Sequence, residues 1–184
     1  ASLQNVWKPI RSALMKRLLS VDTDQRSSTP TILVYLGEKL GVDTPTIAAY
    51  VEYKGGILAV NGMAAPDNAK ELFNTLSNLG RVKEWEKGNV KLSPAQEQVA
   101  NTYKSEVMAI FQACYDSSMG ARLLYDVVEA DCKAKKKTNP KGSFLSRVCL
   151  TLETYITAIT VCKAWDMGLT VNDLFYDGND IGGL

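Results

Sequence analysis

The 184-residue chain contains no histidine. This absence excludes serine–histidine and cysteine–histidine catalytic pairs, imidazole proton shuttles and nearly all common zinc sites. The chain also lacks a phosphate-binding GxxxxGK[ST] loop, a GxGxxG turn that opens a helix and a GxSxG nucleophile turn. Its acidic residues show no paired spacing that indicates acid–base chemistry. We therefore predict a protein that is not an enzyme and that binds neither a cofactor nor a metal ion.

Cysteine is scarce, with only Cys114, Cys132, Cys149 and Cys162. These residues are widely spaced, form no CxxC motif, and each lies in a stretch with apolar residues at helical spacing. Nothing in the sequence indicates the secreted setting in which disulfides form. We expect all four thiols to be reduced and buried as small apolar side chains.

Long apolar runs are also missing. The longest uncharged one, residues 55–65, is short and rich in glycine, and the N-terminus shows no secretory signal. Apolar residues make up 46% and charged residues 22% of the chain, a balance typical of a folded globular protein. We predict a cytoplasmic protein without a membrane span.

Apolar residues recur at helical spacing along most of the chain. An arm and a basic first helix are expected in residues 1–20, followed by a polar linker. Ser93 begins a capping box with Gln96, and Ser143 is expected to cap the last long helix. The segments predicted to be helical are 31–40, 44–54, 67–79, 93–116, 119–137 and a last one from Ser143 past Ile159. Residues 170–175 are expected to form one closing turn.

These elements predict an all-α protein. The core is expected to be a helical bundle formed mainly by the three long C-terminal helices, with a smaller helical part at the N-terminus. We divide the chain into residues 1–66, with the basic first helix and a helix hairpin, and residues 67–184, with the bundle and an acidic tail. The segment 55–65 is either a buried connector or a hairpin. The side chains expected to face inward from the last two helices are Leu123, Leu124, Val127, Val128 and Cys132, and then Leu145, Val148, Leu152, Tyr155, Ile156 and Ile159.

Residues 133–147, KAKKKTNPKGSFLSR, carry six positive charges and no negative one, although the net charge of the whole chain is only +1. The segment is expected to contain the end of one helix and the turn into the next. Lysines at a helix C-terminus gain about 0.3–1 kcal/mol each from the helix dipole, so a solvated helix end is one interpretation. Mutual repulsion among six charges would cancel part of this gain, so a solvated helix end does not explain the whole cluster. Backbone amides of Lys141, Gly142 and Ser143 at the next helix start would attract an anion.

We therefore predict that this joint binds the phosphates of a nucleic acid. The candidate residues are Lys133, Lys135, Lys136, Lys137, Lys141, Ser143 and Arg147. A second basic cluster, Arg11, Lys16 and Arg17, could form another wall of the same groove, or could lie on a membrane or in a partner's groove. Phe144, Tyr125 and Tyr155 are near enough in sequence to stack on bases, with burial in the core as the alternative.

The chain after Lys163 carries four aspartates and no positive residue. The DGNDIGG sequence at residues 177–183 does not match a calcium loop, because Ile181 occupies a ligand position. The acidic tail could fold over its own basic joint, or it could stay solvated. It could also reach the joint of a neighbouring copy in a head-to-tail contact.

The segment TILVYLGEKLGVDTPTIAAYVEY, residues 31–53, resembles the helix-turn-helix pattern of DNA-binding regulators. Gly41 stands at the turn and Ile47 follows six residues later. The second helix offers Glu52 and Tyr53 at its outer positions and lacks the Arg, Asn or Gln that reads base edges. Packing of an ordinary helix hairpin is the alternative.

The combined features predict a non-enzymatic structural protein of the viral coat or nucleocapsid type. It would bind single-stranded RNA through the basic joint, self-associate, and reside in the virion or the host cytoplasm. The alternatives are a helical protein-interaction module with merely solvated lysines, and a helix-turn-helix DNA-binding regulator.

Overall fold

A computed structural model of the chain describes residues 20–24, 27–59, 66, 68–168, 170–175 and 178–182, with backbone alone for Gly55 and the segments 20–24, 170–175 and 178–182. The helices are α1 (Ser28–Leu40), α2 (Pro45–Tyr53), α3 (Ala69–Ser77), α4 (Val82–Trp85), α5 (Pro94–Asp116), α6 (Met119–Ala134) and α7 (Pro140–Asp166). Short 3₁₀ turns at Lys54–Leu58 and Glu86–Gly88 follow α2 and α4. The strands are β1 (Ser20–Asp24), β2 (Thr170–Phe175) and β3 (Gly178–Gly182).

The predicted all-α class is confirmed, since every described element between residues 28 and 166 is helical. The chain forms two compact units. One comprises Thr29–Cys149 and is called here the helical unit; the other comprises Ala1–Ser28 and Leu150–Leu184 and is called the terminal unit. This division differs from the predicted one at residues 66 and 67. The reason is that α2 and α3 both pack against α5, which places the N-terminal helices in the same core as the later ones.

Helix α5 begins at a capping box, as predicted. The Ser93 hydroxyl accepts a hydrogen bond from the Gln96 amide, and the Gln96 side chain accepts one from the Ser93 amide. Gln96 is buried, and its side-chain amide also donates to the Leu58 carbonyl at 2.9 Å. The cap therefore also ties the 3₁₀ turn after α2 to the start of α5.

The first half of α5 is held by an aromatic cluster. The Tyr103 ring lies 4.9 Å from Phe73 of α3 and 5.9 Å from Tyr50 of α2, centroid to centroid. Its hydroxyl forms a 2.7 Å hydrogen bond with the Ser77 hydroxyl, which satisfies both buried polar groups. Burial raises the pKa of Tyr103, so the phenol stays neutral.

The second half of α5 is held by another aromatic cluster. Phe111 lies 5.7 Å from Tyr125 of α6 and 5.7 Å from Phe144 of α7, with the rings edge to face. Phe144 is fully buried, so it is a core residue and offers no surface on which a base could stack. The three long helices therefore meet at this cluster, although α5 also belongs to the core of α2 and α3.

The first amides of helix α2 are capped by a carboxylate from α5. Thr44 stands at the predicted N-cap position, but its side chain makes no capping hydrogen bond. The Glu106 carboxylate instead accepts hydrogen bonds from the amides of Thr46 and Ile47, both at 2.9 Å. Glu106 is buried on α5, so this contact satisfies two amides and places a negative charge at the positive end of the α2 dipole.

Several side chains that were predicted to face inward are exposed. In α6 only Val128 and Cys132 are buried, whereas Leu123, Leu124 and Val127 are exposed. In α7 Leu145 is buried, but the later stripe residues Tyr155, Ile156 and Ile159 are exposed. The expectation of four buried thiols is wrong for Cys162, which is exposed, while the other three are buried. Periodicity identifies an apolar face without showing whether the chain has a second surface to cover it.

Helix α7 is long and apolar enough to cross a membrane by length and composition alone, and it is the one such helix in the part of the chain that the structure describes. Core helices of soluble proteins meet the same criterion. The sequence expectation of no membrane span stays a prediction.

The C-terminal segment is extended. Residues 170–175, expected as a turn, form β2, which pairs antiparallel with β3; β3 also pairs with β1 to give the strand order β1-β3-β2. The register sets both Asp22 and Asp173 opposite Asp180. The predicted helix in residues 1–20 lies outside the described residues apart from Ser20, and the possible hairpin at Asn61-Gly62 lies outside them as well.

Removing the Glu106 carboxylate should destabilise the helical unit. We expect Glu106→Ala to lower the free energy of unfolding by about 2–3 kcal/mol, because two α2 amides lose their acceptor. Glu106→Gln keeps one acceptor oxygen and should cost about half as much. The control Glu97→Ala changes an exposed acid on the same helix and should stay within about 0.5 kcal/mol of the wild type. Urea unfolding measures all three, and equal losses for Glu106→Ala and Glu97→Ala would contradict the capping role.

Candidate nucleic-acid interface

The basic joint begins where α6 ends. The Lys137 amide donates to the Cys132 carbonyl at 2.8 Å, and the Lys136 amide donates to the Lys133 carbonyl at 3.2 Å. These two bonds form a Schellman motif, which normally has glycine at its left-handed position. Here Lys136 occupies that position with φ of 54°. The sequence has no glycine there, so α6 was predicted three residues too long.

Asn139, and not Ser143, caps the start of α7. Its side-chain oxygen accepts a hydrogen bond from the Gly142 amide at 3.0 Å, whereas the Ser143 hydroxyl donates back to the Asn139 carbonyl. Pro140 has no N–H group, and the Gly142 amide is already bonded. The Ser143 amide is bonded as well, to the Asn139 carbonyl, so two of the three amides predicted to attract an anion are already used and binding at this joint would depend mainly on side chains.

Gly142 lets the joint sit tightly against the end of α3. A Cβ atom at this position would overlap the carbonyl oxygen of Asn78 and would lie 2.5 Å from the side-chain nitrogen of Asn139. That nitrogen donates to the same Asn78 carbonyl at 2.7 Å. The carbonyl left unpaired at the end of α3 is thus satisfied by the residue that caps α7, which fixes the position of the joint.

Two acidic residues on the last turns of α6 neutralise part of the positive charge. Glu129 pairs with Lys133 at 2.8 Å, one helical turn apart. Asp131 pairs with Lys135 at 2.8 Å and with Arg147 of α7, also at 2.8 Å. Three of the seven predicted site residues are therefore engaged in ion pairs within the chain.

The remaining cations are exposed. Lys136, Lys137 and Lys141 form no ion pair with any residue the structure describes. The Lys141 ammonium lies 5.2 Å from the centroid of the Phe111 ring, so the core aromatic cluster orients it. Beside these lysines is a cleft of about 470 Å³. The cleft is lined by Asn78, Asp131, Cys132, Lys137, Thr138, Asn139, Gly142, Ser143, Ser146 and Arg147.

The ion pairs of Asp131 are stable at neutral pH and are lost only at low pH. The hydrogen bond from Lys135 is the main reason that the pKa of Asp131 lies below its ordinary value, and the nearby charges of Lys135, Arg147 and Lys137 add to the effect. Because the pKa is lowered in the folded state, the pairs are present at neutral pH and are lost only as the pH falls through this lowered value. Lys135 and Arg147 are therefore held by Asp131 at physiological pH.

The structure brings together seven of the ten predicted site residues. Lys133, Lys135, Lys136, Lys137, Lys141, Ser143 and Arg147 lie on the end of α6, the turn and the first turns of α7. Arg11, Lys16 and Arg17 lie outside the described residues. Of the possible stacking aromatics, Phe144 is buried, Tyr125 is half-buried, and Tyr155 is exposed but belongs to the terminal unit.

Sequence reasoning missed four residues that define this joint: Glu129, Asp131, Asn139 and Asn78. The spacing of four between each acid and its lysine, and the Asn-Pro sequence at the helix start, could have identified the first three. The contact with Asn78 joins residues 61 positions apart and leaves no signal in the local sequence. In the part of the chain that the structure describes, no group of three or more His, Cys, Asp or Glu side chains could hold a metal ion.

Comparison of the chain with protein-family models, with curated proteins and with solved structures gives no match.

Replacing Gly142 with alanine should displace the joint. We expect Gly142→Ala to lower the free energy of unfolding by about 2–3 kcal/mol, because the added methyl group meets backbone that cannot move away. The control is Gly120→Ala in α6, where the nearest atom lies 3.8 Å from the added carbon. This control should be neutral or slightly stabilising, by about 0.5 kcal/mol. Thermal and urea unfolding measure both, and a neutral Gly142→Ala would contradict the close contact with Asn78.

Proposed function

We propose that this protein is a non-enzymatic, self-associating structural protein of the viral coat or nucleocapsid type that binds single-stranded RNA at the joint between α6 and α7. The observation that carries the proposal is the position of Lys136, Lys137 and Lys141. All three are exposed on the joint between α6 and α7, and none forms an ion pair with a described acidic residue, although the charge of Lys137 acts on Asp131. Exposed ammonium groups spaced along a turn suit the repeating phosphates of a nucleic acid backbone.

Charge at the joint supports binding without sequence preference. Six cations lie against two carboxylates, so four positive charges remain in the joint of a chain whose net charge is +1. The contacts would be made by lysine side chains, which bind phosphate as point charges and do not read bases. Because Phe144 is buried, stacking of bases at the joint is not part of the proposal. Affinity should therefore come mainly from counterion release.

The acidic tail supplies a surface of opposite sign for self-association. The register of the small sheet puts Asp22, Asp180 and Asp173 in one row across three strands. In this proposal the tail of one copy binds the basic joint of another in a head-to-tail contact, in competition with RNA. The virion or the host cytoplasm would be its location.

The helical protein-interaction module remains the second candidate, because α6 exposes several large apolar side chains. The DNA-binding regulator is less well supported. The start of a recognition helix normally faces the nucleic acid. In α2 the Glu106 carboxylate occupies the amides of Thr46 and Ile47, and Glu52 and Tyr53 are exposed farther along the helix.

Two matched double variants test the RNA site. Lys136→Gln with Lys137→Gln should flatten the slope of log K against log salt by about 1.4, because each lysine on a phosphate contributes about 0.7 for a single strand. Lys133→Gln with Lys135→Gln removes the same charge, but Glu129 and Asp131 already hold these lysines, so the slope should change by less than half as much. The measurement is a salt titration of fluorescently labelled single-stranded RNA of mixed sequence.

Two outcomes would overturn this assignment. If the wild type and both variants bind RNA with equal slopes and affinities, the lysines are a solvated helix end and the interaction module becomes the better proposal. If the two variants lose equal amounts of slope, binding depends on total charge and not on the unpaired lysines.

Removing the acid that holds two of the cations should strengthen binding. We expect Asp131→Asn to release Lys135 and Arg147, to tighten RNA binding several-fold and to steepen the salt slope by up to about 1.4. The control Asp43→Asn makes the same change in net charge in the turn between α1 and α2 and should have a smaller effect. Titrations with the same RNA compare them. Equal gains from both variants would show that Asp131 does not limit the site.

A further inference from the structure

The aromatic cluster that joins α5, α6 and α7 has outer members as well as a buried centre. Phe111 and Phe144 are the buried members. The outer members are Tyr115, near the end of α5, and Tyr125 on α6; both are half-buried, so part of each side chain is open to solvent. The two tyrosine rings lie 5.3 Å apart, centroid to centroid, and meet edge to face. These two rings are called the tyrosine pair.

The tyrosine pair is held from the inside by one buried ring. The Phe111 centroid lies 6.2 Å from that of Tyr115, with 24° between the ring planes, and 5.7 Å from that of Tyr125. Rings that are already fixed lose little further freedom when a ligand binds. Burial and, after it, the nearby charge of Glu129 raise the pKa of Tyr125, so its hydroxyl is neutral. The tyrosine pair is therefore a fixed aromatic surface.

A cation lies at each end of this surface. The Lys141 ammonium lies 5.2 Å from the centroid of the Phe111 ring. The carbon at the centre of the Arg122 guanidinium lies 5.8 Å from the centroid of the Tyr115 ring. Arg122 also pairs with Asp116 at 3.6 Å, but both side chains are about half exposed. Exposed pairs contribute little, so a ligand can replace this one, whereas Lys141 forms no ion pair with any residue the structure describes.

Aromatic rings next to cations are characteristic of surfaces that bind single-stranded nucleic acids. Unpaired bases stack on the rings, and the cations bind the phosphates. Lys141 takes part in both features here, because it is one of the three exposed lysines of the joint and it lies over the ring that supports Tyr125. A strand whose phosphate is bound by Lys141 therefore has a neighbouring base within reach of the tyrosine pair.

We propose that the tyrosine pair is a stacking site for unpaired bases beside the basic joint. The inference rests on the proposed RNA function and names the form of nucleic acid that the site selects, which is a single strand. The bases of a duplex have their faces covered by neighbouring base pairs and cannot stack on a side chain. Every base has a face that can stack, so the site tolerates any sequence.

Stacking and phosphate binding differ in how they depend on salt. Binding of phosphates by lysines releases counterions, so this part of the affinity falls as salt rises. Stacking of a base on a tyrosine ring releases no counterion, so its share of the affinity should be the same at every salt concentration. A purely structural role for the tyrosine pair predicts a different result, because loss of a ring would then weaken the binding of every polyanion alike.

The first experiment titrates salt with two probes, a fluorescent single-stranded RNA of mixed sequence and inorganic polyphosphate, which has no bases. Tyr125→Leu should weaken RNA binding by about fivefold or more at every salt concentration, and Tyr115→Leu should act in the same direction. Neither variant should change the salt slope or the binding of polyphosphate. Tyr125→Phe keeps the ring and should bind like the wild type. The control Tyr35→Leu removes another exposed ring with a lysine 5.5 Å from its centroid and should leave RNA affinity unchanged.

The second experiment uses the unmodified chain, so it does not depend on how well a variant folds. Single-stranded RNA that contains 4-thiouridine is bound, irradiated and digested, and mass spectrometry locates the cross-linked peptides. Adducts on the peptides that contain Tyr115 or Tyr125 are expected. Adducts found only on other parts of the chain would overturn the stacking site.

The outcomes separate this inference from the RNA function on which it rests. If Tyr125→Leu binds the single strand as tightly as the wild type, while Lys136→Gln with Lys137→Gln flattens the salt slope, the RNA site stands and the stacking site is wrong. Equal losses of RNA and polyphosphate binding in Tyr125→Leu would show that the ring only supports the joint, which also overturns the inference. A wild-type chain that does not bind RNA would overturn both.

Discussion

The packing of Phe111 against Tyr125 and Phe144 is the contact on which the candidate site depends. It joins α5, α6 and α7 in one cluster, and the Lys141 ammonium lies over the Phe111 ring. On the same helix Tyr103 joins α2 and α3. Helix α5 therefore connects the two ends of the helical unit, and the basic joint has a fixed position because two helices meet there on a rigid aromatic core.

The joint is rigid, and its cations fall into two groups that differ in whether they form ion pairs. Asn139 caps α7 and binds the last carbonyl of α3, so the backbone of the turn is held from both sides. Asp131 restrains Lys135 and Arg147, while Lys136 and Lys137 project from the turn. A single cluster thus contains cations that stabilise the fold and cations that are available to a ligand. Total charge in the sequence does not separate these two groups, because pairing depends on which acids lie within about 4 Å.

The helices were predictable because their signals are local. The capping box at Ser93, the apolar periodicity of α3 and α5, and the proline at the start of α2 all act within one or two helical turns. The same local signals placed the basic segment at the end of one helix and the start of the next. They misplaced the cap of α7 at Ser143, because a serine before an apolar run and an asparagine before a proline are both good N-caps. Only the contact of Asn139 with Asn78 distinguishes them.

By itself, the sequence determined the all-α class, the approximate extent of the helices and the concentration of charge in residues 133–147, since these follow from side-chain chemistry and short-range spacing. The tertiary structure decided which apolar faces are covered. Leu123 and Val128 belong to the same apolar pattern, but the packing of α6 on α5 buries one and exposes the other. It also decided that Glu106 caps a helix 59 residues away, and that Gly142 lies against Asn78. Contacts of this kind depend on the meeting of distant segments, for which neighbouring residues in the chain carry no physical signal.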